Sequence, residues 1–587
     1  MSGSRGRRSS ASQSRTSADD LVCADTLDIH PLGDGRVLAR AASTNRVVLL
    51  DATDAMIASL IGHPDLRLAH SKSIANRLGS LNQREVAKRI KNLENAGCLI
   101  DVRSVLRKVK RHRNPVQSRS AGPVTFAIPT LGRQVELERL ARSLESLGPR
   151  PRHVLVSGEW RVTPPARVRQ ALEGSGAAIL SQTDRRKLAR RLASKTGTKR
   201  QIIEWALCGD GSANAPGANR NAILFTAAPG TLVWLDDDTF LELRSWGSGT
   251  RLPSISGAHD PTDLILAKDI ADLRGSTRRD DTAQLWPYID VTGTDPLAIV
   301  RQAPEDPSHF RGLTPTLATL LTRDDARIAG VSFGVTGDLG TDSPTDRLRL
   351  TGRARPQLVG DPGQYEQLKQ TRLGVRMARQ LSVGRPVVCQ TYAFALDTQR
   401  FFPPFLPVGR GEDGLFGLVL QIADRAAFFA YAPIAICHAP GNRQHAYSEG
   451  VWRDDSIPLS LLVSDLLTRI NVENLQTPAT RQEALGCQLE ALGALPPQSF
   501  WELVGHCALR RRTHEIQQLN ACLQTYGTPK CWVADVQSRI EFLETLVFAN
   551  QRVRVGVTPE ADVQRLVRWY GTLLRIWPAI LASARSS

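Results

Sequence analysis

The sequence predicts an α/β protein built on a mostly parallel sheet, with a small mixed domain ahead of the sheet and an all-helical domain behind it. Three observations carry that prediction. From about residue 123, short apolar runs such as Val124-Thr-Phe-Ala-Ile128 and His153-Val-Leu-Val156 alternate with helical periods. After about residue 455 the strand-like runs stop and Leu-rich helical periods take over. Before residue 102 the order is two short strands, three helices and a closing strand, a winged-helix-like arrangement.

Composition narrows the class. The 587 residues leave room for roughly three or four domains. Hydrophobic residues make up 41% and charged residues 23%, ordinary globular usage that excludes a mainly disordered chain, a fibrous protein and a disulfide miniprotein. No apolar run approaches the roughly 20 residues of a membrane span, and residues 1–20 lack the apolar centre of a secretory signal. Nine cysteines without a CxxC pair predict reduced thiols, a cytoplasmic location and no structural zinc. The net charge of +17 falls mainly in three runs: Arg5 to Arg15, Arg103 to Arg113, and Arg185 to Arg200. With aromatics at only 5%, these read as tail, linker and helix face, and no nucleic-acid partner is expected.

Residues 1–18 are expected to be a disordered basic tail. Within 19–102, Gly35–Ser43 and Asn45–Asp51 are the strands, and a helix opens at Asp51 as N-cap and stops near Gly62. A second helix covers about Ser73 to Leu78. A third places Val86, Ile90 and Leu93 on one face and ends at Gly97, before a short strand at Cys98–Ile100. Residues 103–122, basic and containing Pro115, Ser118, Ser120 and Gly122, read as a linker. From 123 to 450 the pattern is βαβ: strand Val124–Ile128, helix Gln134–Leu147, strand 153–159, helix 218–228, strand 231–235 running into acidic residues, and a later strand at 393–401. Residues 451–587 form the expected helical domain, with Leu stripes serving as core.

The chemistry concentrates at Leu235-Asp236-Asp237-Asp238-Thr239. Three adjacent carboxylates after an apolar strand repel one another and resist desolvation, so they are not packing residues. A hard cation, Mn²⁺ or Mg²⁺, relieves that repulsion. Strand alternation would turn Asp236 and Asp238 to one face and Asp237 to the other. Upstream, Arg220 near a helix start suits a phosphate or carboxylate, while Asn219 is equally an ordinary N-cap. Glu412 and Asp413 lie between Gly411 and Gly414, where the chain can turn tightly and present a base; the same pair also suits a helix start. His438 follows an apolar run and precedes Pro440; it is a candidate ligand or a satisfied core histidine.

These motifs together resemble the GT-A type glycosyltransferases, most nearly the family-two-like group. The resemblance implies a GT-A/Rossmann-like nucleotide-binding sheet and a nucleotide-sugar donor. The turn Ile128-Pro129-Thr130-Leu131-Gly132-Arg133 would contact the nucleotide, and Ala218-Asn219-Arg220-Asn221 would precede the D-x-D strand. Asp236 and Asp238 would hold the metal, with Asp236 also at the donor. Glu412-Asp413 would be the acceptor-side motif, Asp413 the general base, and His438 a late metal ligand. Two departures stand out. The second strand ends in Ser157-Gly158-Glu159 where the family carries an acidic pair, leaving Glu159 as the candidate nucleobase reader. The interval 245–385 must hold an insertion, and its Gly334–Asp346 stretch, with Asp338 and Asp342, either shapes the acceptor pocket or, as expected here, is a surface loop.

The 19–102 segment resembles the PqqD-like domains, which recognise precursor peptides in ribosomal-peptide modification. That implies a peptide acceptor held through residues 37–96, with Arg84, Lys88 and Lys91 favouring an acidic leader. A packing module without a ligand fits the same pattern, and DNA binding through the third helix fits it less well, because Glu85 and Glu94 share that helix. For the whole chain the expected function is metal-dependent sugar transfer. The alternatives are a nucleotidyl- or phosphoglycosyl-type transferase, or a degenerate scaffold that binds peptide.

Overall fold

The computed structural model describes residues 21–585, except 26, 33, 42–44, 63, 113–121, 146, 148–152, 175, 212–214, 248–251, 258–259, 281–283, 305, 307–308, 341–343, 352–353, 386–388, 442–445, 448–451, 549–552 and 557–559. The expected tail 1–18, most of the second half of the expected linker, and Asp342 lie outside the described residues.

The chain divides into two compact units. The first joins Met1–Pro115 with Pro253–Ala258 and Leu297–Asp324; the second takes Val116–Leu252, His259–Pro296 and Asp325–Ser587. In the first unit, Leu27–Pro31, Arg36–Ala41 and Arg46–Asp51 form an antiparallel meander. Asp51 caps the helix Ala52–Leu60 by accepting from Asp54 N, as expected. The second helix is longer than expected, Arg67–Leu78. The third, Gln83–Asn95, opens on an Asn82–Glu85 capping box and buries Val86, Ile90 and Leu93 against Ile57, Ala39 and Leu50.

The segment read as a linker is a helix over Val102–Arg111. Its basic residues hid an apolar face, for Val102, Leu106 and Val109 are all buried. Two pieces of the 245–385 interval complete this unit: Lys110 donates to Ala303 O at 2.5 Å, and Arg301 to His112 O at 2.6 Å.

The second unit holds the large sheet. Along the path Ser382–Gly384, Ala427–His438, Arg327–Asp338, Ala393–Asp397, Thr231–Leu235, Val124–Thr130, His153–Gly158 and Ala178–Leu180, neighbours are hydrogen-bonded. The last four strands pair in parallel. Arg327–Asp338 and Ala427–His438 are also parallel to each other. Ala393–Asp397 lies antiparallel to both of its neighbours. Counting those reversals, Val124–Thr130, His153–Gly158, Thr231–Leu235, Arg327–Asp338 and Ala427–His438 all point the same way. Their carboxyl ends share one edge of the sheet, the edge at which open α/β sheets bind ligands.

The helices after residue 451 do not form a separate body. Leu485, Leu489, Phe500 and Leu573 belong to the same buried cluster as Trp234 and Phe405 under the sheet. Tyr570 donates to Pro404 O at 3.1 Å and the Trp577 indole to Phe402 O at 3.0 Å. Their apolar stripes need a partner, and the sheet-backing helices supply it. Among the described residues no helix is long and apolar enough to cross a membrane.

Candidate active site

The three aspartates lie just beyond the strand Thr231–Leu235, in a turn leading to the strand Thr239–Ser245. Strand alternation therefore does not govern them, and the expected pairing of Asp236 with Asp238 on one face is not what forms. Thr239 closes the turn through its N–H and hydroxyl, both donated to Asp236 O. Ala439 N donates to Asp238 O at 2.9 Å, stapling the turn to the residue after His438. Asp236 is half-exposed and accepts from Arg220 Nη2 at 2.7 Å. Asp237, expected to face away, is 1% exposed and accepts from Thr130 Oγ1 at 2.5 Å and Arg133 Nη2 at 2.8 Å. Burial pushes its carboxyl up to about 7. Asp238 pairs with Arg133 Nη1 at 2.7 Å and lies 3.2 Å from His438 Nε2. Burial acts to raise its pKa, but His438 and Arg133 outweigh it and hold the carboxyl well below the usual range.

Arg220 sits within the helix Pro216–Thr226 and is 4% exposed. One guanidinium nitrogen reaches Asp236 and another Glu412, so the fork joins two carboxylates instead of being presented to a phosphate. Among the described residues the helix start is closely covered: Ala218 N donates to Pro407 O at 3.1 Å, and a Cβ at Gly217 would lie 1.9 Å from Leu406 O. Asn219 is no N-cap; its amide donates to Glu159 Oε1 at 2.7 Å and its carbonyl accepts from Ser157 Oγ at 2.9 Å. Asn221 secures the next loop, donating to Ala206 O and Phe405 O and accepting from Phe405 N. The Ala-Asn-Arg-Asn run is thus a set of three clasps, a role its spacing alone did not reveal.

Glu412 and Asp413 open the helix Glu412–Ala423 behind Gly411, whose φ of 76° suits glycine. Glu412 is buried and spent on Arg220. Asp413 is held by backbone donors, Gly414 N at 2.8 Å and Thr391 N at 3.3 Å. Burial pushes both carboxyls up, against the pull of Arg220. Of the two, Asp413 has no arginine bonded to it among the described contacts and is the better placed to accept a proton.

His438 ends its strand, and its Nδ1 lies 2.6 Å from Asp338 O. Asp338 is not in a surface loop. It ends the strand Arg327–Asp338, is 1% exposed, and pairs with Arg372 Nε at 2.9 Å. The loop reading failed because Gly334, Gly337 and Thr336 look like turn residues, whereas here the glycines permit close strand contact: a Cβ at Gly337 would lie 2.1 Å from His438 O.

Thr130 is buried under Asp237 and accepts from Gly132 N, so the Pro129-Thr130 turn shapes the aspartate turn. Glu159, expected to read a base, has both oxygens engaged: Oε1 by Asn219, Oε2 by Gln182 and Arg185. Beside it Trp160 covers the glycines at the mouth of the first two strands; a Cβ at Gly158 would lie 2.1 Å from its ring and one at Gly132 3.0 Å. Trp160 and Tyr392, which stacks on His438 with ring centroids 5.6 Å apart and planes at 12°, are site residues the sequence reading missed. Neither belongs to a charged motif, so no local signal marked them.

The residues fit a divalent cation at Asp238 and His438. Oδ1 of Asp238 is buried and has no hydrogen-bond partner among the described residues; its 3.2 Å approach to His438 Nε2 is an ion-pair contact without hydrogen-bond alignment. Ligands at about 2.1 Å on an octahedral ion stand roughly 3 Å apart along an edge, which this pair matches. Asp236, expected as the second carboxylate ligand, is paired with Arg220 instead. Among the described residues no three His, Cys, Asp or Glu side chains gather into a metal cluster. One carboxylate and one imidazole would leave the other positions of such a cation to phosphate and water.

No protein-family model matches the chain, and no curated protein matches it. Solved structures do show likenesses. Staphylococcus aureus TarS 1–349 is similar over 78% of this chain and 92% of its own, at 11% identity and a TM-score of 0.23. Its complex with UDP-GlcNAc gives 10% identity and a TM-score of 0.25 over the same shares. The mannosyltransferase PcManGT from Pyrobaculum calidifontis, in complex with GDP-Man and Mn²⁺, is similar over 77% of this chain and 94% of its own, at 12% identity and a TM-score of 0.24. Values this low carry no argument about activity or ligands.

Proposed function

We propose that this chain is a metal-dependent glycosyltransferase that moves a sugar from a nucleotide-sugar donor to an acceptor. The observation that supports it most is convergence at the common carboxyl edge of five strands. The Pro129–Arg133 turn, Glu159, the Asp236–Asp238 turn, Asp338 and His438 all lie at or just past strand ends there, and Arg220 ties the aspartate turn to Glu412, the neighbour of Asp413. Breaking a sugar–phosphate bond builds negative charge on the leaving diphosphate. Asp238 and His438 would hold the Mn²⁺ or Mg²⁺ that neutralises this charge. Arg133 is half-exposed and now balances Asp237 and Asp238; with a cation there, its fork is free to turn to phosphate. Asp413 would take the proton of the attacking group, a task suited to a carboxylate whose pKa burial has raised.

The acceptor reading is a peptide bound by a PqqD-like first unit. Arg46–Asp51 is an edge strand of its meander and exposes Val47 and Leu49. Such an edge can pair with an added strand. Arg89 of the helix Gln83–Asn95 reaches Asp51 and Asp54, setting that helix beside the strand's end, and Arg84 and Lys88 are exposed on it. The test of the enzymatic reading is donor hydrolysis in Mn²⁺ by wild type and by Asp238→Ala. Loss in the variant with an unchanged circular-dichroism spectrum supports it, and equal turnover by both refutes it.

A further inference from the structure

We propose that Asp338 and Arg372 are positioning residues for the metal site: their ion pair holds the Asp338 carbonyl against His438 and so fixes which ring nitrogen faces Asp238. The proposal rests on the metal-dependent reading above and adds two residues that no motif marks.

The geometry runs outward from the ring. A carbonyl oxygen can only accept, so the 2.6 Å contact of His438 Nδ1 with Asp338 O puts the hydrogen on Nδ1. Nε2 then faces Asp238 Oδ1, 3.2 Å away. Two acceptors do not rest at that distance unless a proton or a metal ion lies between them. The stacked Tyr392 ring restricts rotation of the imidazole.

What aims the carbonyl is the Asp338 side chain. Gly337, with φ of 112°, lies opposite His438 in the parallel register. Beyond it, Asp338 Oδ1 accepts from Gly340 N at 2.7 Å, and Arg372 closes on the carboxylate with Nε at 2.9 Å and Nη2 at 3.3 Å. The guanidinium itself lies over the Tyr447 ring, 4.7 Å from its centre. The peptide that carries the carbonyl is therefore gripped by a buried, charge-paired side chain. Outer partners of this kind orient a histidine ligand and are worth tenfold to a hundredfold in metal affinity.

The experiment measures Mn²⁺ binding to the full-length protein, with Mn²⁺ alone as the probe, from the electron-paramagnetic-resonance signal of the free ion. Arg372→Met and Asp338→Asn are each expected to weaken binding by about ten- to a hundredfold, and Arg372→Lys to retain most of it. In a His438→Ala background, Arg372→Met should cost nothing further, because its effect passes through that ring. Ring ¹⁵N shifts of His438 should report a single tautomer in wild type and a mixture in the variants. If Arg372→Met fails to fold, Asp338→Asn decides, since it keeps the carbonyl and the side-chain shape. Unchanged Mn²⁺ affinity in the variants, or an equal loss with and without His438, overturns the proposal alone. If wild type binds no Mn²⁺, the metal reading falls and takes this proposal with it.

Discussion

Asp413 shows how a single carboxylate is tuned by its surroundings. Half-buried, and held among the described residues by backbone N–H groups, it has its pKa raised above the ordinary range by desolvation. Its charged form therefore costs stability: the contribution to folding is complete below the usual carboxylate pKa and is lost as pH rises through the raised value. The same shift makes it a stronger base. Asp413→Asn is expected to lower transfer by about two to four orders of magnitude while nucleotide binding survives, as isothermal titration can check. In wild type the rate should fall as pH drops through the raised pKa, so the acid limb of the profile lies above that of an ordinary aspartate. A limb at the ordinary position would show that another group takes the proton. Asp237 marks where residue-level reading failed. Strand alternation turned it away from the site, yet the strand stops at Leu235 and the turn buries Asp237 under Thr130 and Arg133. Asp237→Asn should therefore reduce donor hydrolysis at least as much as Asp236→Asn, and a milder effect would restore the alternation picture.

At the scale of elements, the alternation of strand and helix was legible because both faces of the central strands are buried. Val124–Thr130 reads as one apolar run for that reason. The helix Pro216–Thr226 was legible as a helix but not as a clasp, since clasping depends on partners far away in sequence. Asn221 bonds across to Phe405 in both directions and to Ala206. Replacing it with alanine strands a buried N–H and two carbonyls, for a loss of about 3 kcal/mol or more in urea denaturation. Gly217→Ala should be comparably damaging, because its Cβ has backbone, not a flexible side chain, in its way. Stability within about 0.5 kcal/mol of wild type in both variants would mean that the Phe405 loop yields freely. The helix Val102–Arg111 escaped sequence reading for a different reason: its three buried apolar residues are outnumbered by basic ones, and composition masked the period.

For the whole molecule, the sequence divides where composition changes, but the chain folds where surfaces match. The helices after residue 451 look independent because they are internally periodic, yet their apolar faces complete the core beneath the sheet. Removing the helix Glu560–Arg585 would uncover Phe402, Pro404 and the residues around them, so that truncation is expected to give insoluble protein, and a soluble, donor-hydrolysing product would contradict the shared core. The first unit is expected to serve the acceptor alone: Val47→Asp with Leu49→Asp should raise the KM for a peptide acceptor at least tenfold and leave donor hydrolysis unchanged. Equal acceptor kinetics would make that unit a packing module. A cation-assisted nucleotide site on the carboxyl edge of the sheet would show itself in thermal unfolding with a panel of nucleoside diphosphates, with and without Mn²⁺. Tm is expected to rise for at least one base, and that rise to require Mn²⁺ and to vanish in Asp238→Ala. A panel that leaves Tm unmoved, or a rise indifferent to both the metal and Asp238, would contradict it.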